Sequence, residues 1–170
     1  PAVPEIQVFC VTLKGDALHD DILRAMDRAI PFPLMFELVA GDRIQPAAAY
    51  KRPSEAERGK WVLSDPLRGE WTAHDAPRAP LPVAVNMGVL YDRMLSALMP
   101  VAPVPGEDVE SRLARLAAIR AKEREIAQLQ SKLKRESQFN IKVTLHGQLA
   151  EAQAAFDHMK DPSKTGGGKP

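Results

Sequence analysis

The sequence predicts an α+β fold: a small, mostly antiparallel sheet with two packed helices, followed by a long C-terminal helical arm. Two observations lead to this prediction. Short β-branched and aromatic runs follow one another between residues 34 and 73 with only tight turns between them, which favours antiparallel pairing. Residues 107–159 then contain no proline and carry apolar residues at helical spacing.

The first part of the chain reads as a strand followed by a helix. A dense apolar run predicts a buried strand over 5–14. Asp16 is expected to cap a helix over 17–29, because a side-chain oxygen at that position satisfies free backbone N–H groups. Pro31, just beyond, ends the helix, since the residue before a proline disfavours the helical conformation.

Four further strands and a second helix are predicted before the arm. Pro46 lies inside one of the strands and places it at an edge or bulge, because proline cannot donate to a sheet. Asn86 is expected to cap a helix that runs to Met99. The predicted strands cover residues 34–39, 43–51, 60–64 and 69–73.

The arm carries an apolar seam that must be buried against another surface. Two partners are open: residues 143–156, folding back through a corner at Ser137–Gln138, or another chain. The first gives an antiparallel helical hairpin, and the second a coiled coil between copies, hence a homo-oligomer. The seam consists of Val109, Leu113, Leu116, Ile119, Ile126, Leu129 and Leu133.

The composition shifts divide the chain into three parts. Residues 1–102 form the α+β body, which we expect to lack N-terminal strands because a strand begins almost at Pro1. A connector with three prolines separates it from the arm, residues 103–160. Residues 161–170 are glycine-rich and predict a disordered tail.

Overall charge and cysteine content exclude several classes of protein. With 23 Lys and Arg against 22 Asp and Glu, the net charge of +1 excludes nucleic-acid binding by bulk charge and leaves only a local basic stripe. The single Cys10, expected to be a buried structural thiol, excludes an internal disulfide and favours the cytoplasm. No apolar run reaches 18 residues, so no membrane span and no membrane partner is expected.

No catalytic, cofactor-binding or metal-binding residue is predicted. No two of the four histidines lie within five residues of each other, and none adjoins the cysteine. Glu5 and Gln7, on one face of the first strand, match part of the acidic pattern of a Mg²⁺ nuclease, although the upstream acidic ligand is not in the chain. An incomplete or degenerate nuclease therefore remains an alternative.

Basic and aromatic residues supply the candidate contact sites. Lys51, Arg52, Trp61 and Trp71 are close in sequence across the predicted strands, where aromatic rings can stack on bases and cations can hold phosphates. The same side chains suit a protein interface or, for the tryptophans, a core. The arm adds a basic row in Arg120, Arg124 and Lys132.

Several blocks together resemble the bacterial family called domain of unknown function 4391, over about residues 5–156. They are EIQVFCVTLK, AIPFPLMFELV, AAAYKR, KWVLSD followed by EW, LPVAVNMGVLYDRMLSALMP and QFNIKVTLHGQLAEAQ. The resemblance implies a setting beside helicases and DNA methyltransferases in restriction-like or phage-defence gene clusters. It transfers no active-site residue.

These observations favour an accessory, protein-interaction role over enzymatic activity. On this hypothesis the α+β part is the body, and the helical arm docks a helicase or DNA methyltransferase. A nucleic-acid-binding module is the first alternative and the incomplete nuclease the second.

Overall fold

The computed structural model describes residues 3–54, 56–57 and 60–161. The chain divides into two compact units, Pro1–Pro100 and Val101–Pro170. The strands are β1 (Gln7–Thr12), β2 (Leu34–Ala40), β3 (Arg43–Ala48), β4 (Lys51–Pro53), β5 (Trp61–Leu63), β6 (Leu67–Arg68) and β7 (Thr72–Ala73). The helices are α1 (Asp20–Ala29), α2 (Met87–Leu98), α3 (Val109–Arg135) and α4 (Phe139–Lys160).

The main sheet has the order β1–β2–β3–β6, with β7 also pairing with β3. β1 and β2 are parallel and are connected through α1, whereas every other strand pair is antiparallel. The α+β class with a small, mostly antiparallel sheet is thus confirmed. Its core lies between α1 and the sheet, where Leu23 meets Leu34, Phe36 and Leu38.

β1 is buried on one face only, which corrects the predicted buried strand. Its side chains alternate between half-buried and exposed, with Phe9 and Val11 against the core and Val8 and Cys10 facing outward. The expectation of a buried Cys10 is therefore wrong. Because successive side chains of a strand point to opposite faces, an apolar run alone does not show that both faces are covered.

α1 begins at Asp20, three residues later than predicted, and Asp16 does not cap it. The ring Nδ1 of His19 accepts the capping hydrogen bond from the backbone N–H of Asp21, at 3.3 Å. The guanidinium of Arg68 donates to the carbonyl of Leu18 at 2.8 Å and to the carboxylate of Asp20 at 2.7 Å. This contact binds Leu18 and Asp20 where the helix begins, and because Arg68 lies 48 residues or more further along the chain, it is not visible in local sequence.

β3 lies inside the sheet, between β2 and the two short strands β6 and β7, whereas Pro46 was expected to place it at an edge or bulge. Pro46 has no N–H to donate, and β6 and β7 pair with β3 on either side of it. Between them, the backbone N–H of Gly69 donates to the carbonyl of Pro46 at 2.9 Å. A Cβ at Gly69 would lie 2.7 Å from the Pro46 ring, so this close approach requires glycine.

A second sheet consists of β4 and β5, paired from Lys51–Leu63 to Pro53–Trp61. The predicted strand over 43–51 therefore ends at Ala48, and Lys51 opens a separate pair. α2 begins as predicted: the side-chain oxygen of Asn86 accepts from the N–H of Val89 at 2.9 Å.

The second unit is a helical hairpin, one of the two forms that the sequence allowed. α3 and α4 contact each other along their lengths, and residues 136–138 form the corner between them. Arg115 near the start of α3 donates to the carbonyl of Met159 at the end of α4, at 3.3 Å, which shows the antiparallel arrangement. The seam residues Leu116, Ile119 and Leu129 are buried, and Ala152 is buried on α4.

Candidate functional site

A cavity of about 360 Å³ in the first unit brings together three of the predicted contact residues, Lys51, Arg52 and Trp61. Its walls are mainly aromatic and proline side chains, which are rigid and predominantly apolar. Such a lining is typical of ligand pockets, which place a few polar groups in an apolar wall. The other lining residues are Val3, Pro4, Pro31, Phe32, Pro33, Tyr50, Pro53, Gly88, Tyr91 and Asp92.

Lys51 lies at the base of this cavity and is only 4% exposed. Its ammonium donates hydrogen bonds to the carbonyls of Asp27 and Ile30 and, at 3.4 Å, to that of Phe32. These oxygens lie at the C-terminal end of α1, where the helix dipole favours a cation. The Lys51 ammonium, a candidate contact for a protein or a nucleic acid, therefore binds the carbonyl groups at the end of a helix instead. Burial lowers the pKa of Lys51, and the attraction of Asp27 opposes that effect.

Asp27, on α1, is the most unusual titratable group near the site. Its side chain is 0% exposed, and neither carboxylate oxygen has a hydrogen-bond partner within the part of the chain that the structure describes. Burial raises its pKa from 3.8 to about 6, although the nearby Lys51 ammonium opposes the shift. A buried acid beside a buried base is a combination common at functional sites and also in structural cores.

The aromatic walls are held in place by contacts of their own. The Trp61 ring lies over the Lys51 ammonium, 5.2 Å from its centroid. The Tyr91 hydroxyl donates to the carbonyl of Ala49 at 2.6 Å, and its ring stacks on that of Tyr50 with centroids 6.4 Å apart. Burial raises the pKa of Tyr91, so the phenol remains protonated.

Trp71 does not join this cavity. It lies against the core between α1 and the main sheet, and the guanidinium of Arg43 lies 5.2 Å from the centroid of its ring. Trp61 therefore lines the cavity, whereas Trp71 packs against the core, which is one of the two roles that the sequence left open for it.

The three predicted contacts of the arm all lie on α3. Arg120 is half-buried, whereas Arg124 and Lys132 are exposed. No ion pair joins any of the three to a carboxylate among the residues that the structure describes. Further toward the N-terminus of α3, Arg115 does pair with Glu107 at 2.7 Å, and this contact lowers the pKa of Glu107.

The corner end of the hairpin, which we call the tip, combines exposed apolar side chains with positive charge. Phe139 is 80% exposed and Val143 55% exposed, and Ile141 between them is also exposed. The one carboxylate of this segment belongs to Glu136, and it accepts hydrogen bonds from the backbone N–H groups of Ser137 and Gln138, both at 2.8 Å. The four cations of the tip are Lys132, Lys134, Arg135 and Lys142.

No metal site is evident over the described ranges, where no three His, Cys, Asp or Glu side chains gather closely enough to hold an ion. The two residues of the nuclease-like pattern contact each other at the start of β1, where the Gln7 amide donates to the Glu5 carboxylate at 2.6 Å. Of the helices described, none is both long enough and apolar enough to cross a bilayer.

The family model for the domain of unknown function DUF4391 matches residues 1–156. The chain belongs to this family. The match covers the aromatic cavity, α3 and most of α4, so these features lie within the family domain. No match was found among curated proteins or among solved structures.

Sequence reasoning missed two residues of the cavity region. Neither residue was singled out: Asp27 lies in the helix predicted over 17–29, and Tyr91 in the helix that Asn86 caps. The spacing of Leu23 and Asp27, four residues apart on one helical face, was the available signal for a buried carboxylate.

Proposed function

We propose that this DUF4391 protein is a non-enzymatic interaction protein that docks a protein partner through the tip of its helical hairpin. The partner is a DNA-processing helicase or methyltransferase in a restriction-like or phage-defence system. The observation that carries the proposal is the exposure of Phe139, Ile141 and Val143 in a segment that also carries four cations.

The hairpin geometry supports the tip as the docking element. α3 and α4 bury their seam against each other, so the seam needs no second chain. Phe139 and Val143 lie one turn apart on α4 and do not take part in that burial. Aromatic anchors surrounded by a polar rim are typical of interface centres, since truncating such anchors removes much of the binding energy.

The charge of the tip specifies the kind of partner surface. Residues 132–143 carry four cations close in sequence to the apolar side chains, and the one carboxylate of this segment, Glu136, accepts two backbone N–H groups. A complementary surface therefore carries an apolar pocket bordered by Asp and Glu side chains. Charge complementarity of this kind accelerates association and makes it sensitive to salt.

Co-purification with a helicase or a DNA methyltransferase from the same gene cluster, as the family resemblance implies, tests the proposal. We expect one of them to co-elute with the wild-type chain and to be lost with Phe139→Ser combined with Val143→Ser. The matched control is Val8→Ser, which removes an equally exposed apolar side chain from β1 and should leave co-elution intact. Equal recovery of the partner with the tip variant would contradict the proposal.

A nucleic acid is the second candidate partner, and the exposed cations Arg124, Lys132, Lys134 and Arg135 on α3 favour it. Phosphate contacts release counterions, so affinity should fall steeply with salt. Fluorescence anisotropy with labelled single- and double-stranded DNA would detect this binding. Binding that persists in Phe139→Ser with Val143→Ser but is lost in Lys132→Glu with Arg124→Glu would favour this candidate over protein docking.

A further inference from the structure

A groove between α3 and α4 has the chemistry that the tip requires of a partner. Its volume is about 360 Å³, and its larger apolar side chains are Ile126 and Phe156, both half-buried. Two exposed carboxylates, those of Glu123 on α3 and Asp157 on α4, border it. The other lining residues are Ala127, Gln130 and Gln153. Such a surface complements exposed apolar side chains that lie beside cations.

The charges of the groove and of the tip lack counter-ions within the hairpin. Across the described residues, no ion pair joins Glu123 or Asp157 to a cation. None joins the tip cations Lys134 and Lys142 to a carboxylate over the same ranges. The Lys160 ammonium lies 4.5 Å from the centroid of the aromatic ring in the groove, so one cation stands against two carboxylates and the groove is acidic on balance. Each surface therefore carries the charge that the other lacks.

The groove and the tip lie on the same side of the hairpin. On α3, Glu123 and Lys134 are 11 residues apart, which is about three helical turns, so both side chains project in nearly the same direction. On α4, Phe139 and Asp157 are 18 residues apart, which is about five turns. Those five turns span about 27 Å of continuous helix, so the tip cannot reach the groove of its own chain. Only another molecule can occupy that groove.

We propose that two copies of the chain pair through this side of the hairpin in antiparallel orientation, with the tip of each in the groove of the other. A two-fold axis near the middle of α4 makes the contact reciprocal, which closes the assembly at two copies. Gly147 and Ala150, both exposed, lie close to that axis, and their small size allows two helices to approach closely. Each tip then brings its cations to the carboxylates of the opposite groove.

This dimer covers the same tip that a helicase or methyltransferase would bind under the proposed function. The dimer is thus a resting form, from which the partner displaces the second copy. The inference concerns the purified chain alone and does not depend on partner docking. Glu123→Lys with Asp157→Lys separates the two proposals, because it removes the dimer and leaves the tip intact, so co-elution with the partner should persist.

Light scattering after size exclusion measures the mass of the full chain, loaded at roughly 100 µM, well above a micromolar dissociation constant. We expect a mass twice the 18.7 kDa of one chain. Glu123→Lys with Asp157→Lys opposes like charges and should give the single-chain mass, as should Lys134→Glu with Lys142→Glu. An equimolar mixture of these two variants should recover the double mass, because each then offers the charges that the other lacks.

The matched control is Glu151→Lys with Glu70→Lys, which makes the same change in net charge at exposed acids outside this groove. The control should remain dimeric. Phe139→Ser with Val143→Ser should be monomeric, and it tests the tip without a charge change if a charge reversal unfolds the hairpin. Circular dichroism checks the helical content of every variant. A wild-type chain of single mass, a folded groove variant that stays dimeric, a control that dissociates, or charge variants that stay apart on mixing would each overturn the proposal.

Discussion

The buried pair of Asp27 and Lys51 makes the stability of the first unit depend on pH. Desolvation raises the pKa of Asp27 and lowers that of Lys51, so for both groups burial outweighs their mutual attraction. The structural role of Lys51 is nevertheless clear, because its ammonium joins the end of α1 to the start of β4. Each side chain therefore allows a separate test.

Asp27→Asn should remove one pH dependence of folding. The folded chain holds this proton more tightly than the unfolded chain, so the stabilisation is complete below about pH 4 and is lost as pH rises through about 6. The difference between the two pKa values corresponds to about 3 kcal/mol. Between pH 4 and pH 7.5, the free energy of unfolding of the variant in urea should rise relative to that of the wild type by up to about 3 kcal/mol. A difference that is constant with pH would contradict this account.

Lys51→Met should lower the free energy of unfolding by about 3–5 kcal/mol, because it leaves Asp27 buried without its cation and removes the donor for three carbonyls. Urea unfolding at pH 7 measures this loss. Lys60→Met is the control, since that side chain is exposed and its ion pair with Glu57 is a surface contact. An equally small effect of both variants would show that the ammonium is not structural.

The residues of the cavity could be predicted from the sequence only in part. Lys51, Arg52 and Trp61 were picked out for their chemistry, and the structure does bring them to one cavity. Their sequence neighbourhood suggested an exposed sheet face, however, whereas the partner of Lys51 is the end of a helix more than 20 residues earlier. A contact of that range leaves no local pattern, so the burial of Lys51 could not be predicted.

At the scale of elements, helix α4 carries a glycine that its surroundings do not require. Gly147 lies in the middle of the helix, and a Cβ added there would meet nothing within 4 Å. Glycine in a helix interior is less favourable than alanine by up to about 1 kcal/mol. Gly147→Ala should therefore stabilise the hairpin by about that amount in thermal unfolding. A loss of stability would show that α4 needs a glycine at this position.

Substitutions in the seam should lower the stability of the hairpin, whereas substitutions in the tip should leave it nearly unchanged. Leu129→Ala deletes a buried seam side chain and should lower hairpin stability by about 2–4 kcal/mol. Phe139→Ser changes an exposed residue and should alter stability by less than about 0.5 kcal/mol. Thermal unfolding followed by circular dichroism compares the two. A large loss of stability from Phe139→Ser would mean that its ring belongs to the fold.

Elements with strong local signals were predictable, and those set by distant contacts were not. The Asn86 cap follows from a side chain that acts on its own backbone, and the corner at Ser137–Gln138 from a polar break between two apolar stripes. The start of α1 and the one-sided burial of β1 depend on Arg68 and on the position of the strand in the sheet. The hairpin was one of two arrangements that the sequence allowed, because an apolar seam does not show whether the surface that covers it belongs to the same chain or to another.

At the scale of the whole molecule, the two units carry different surfaces. The first contains the aromatic cavity, and the second is a hairpin that buries its own seam and leaves its tip exposed. The family model matches residues 1–156, which include the cavity, α3 and most of α4. On the proposed function, the tip is the surface that the partner covers.

Hydrogen–deuterium exchange with and without the co-purified partner tests this claim most directly. The account predicts slower exchange over residues 136–145 on addition of the partner, with little change at the middle of α3, which the hairpin already protects. Protection confined to β1 or to the rim of the aromatic cavity, with the tip exchanging as before, would contradict it.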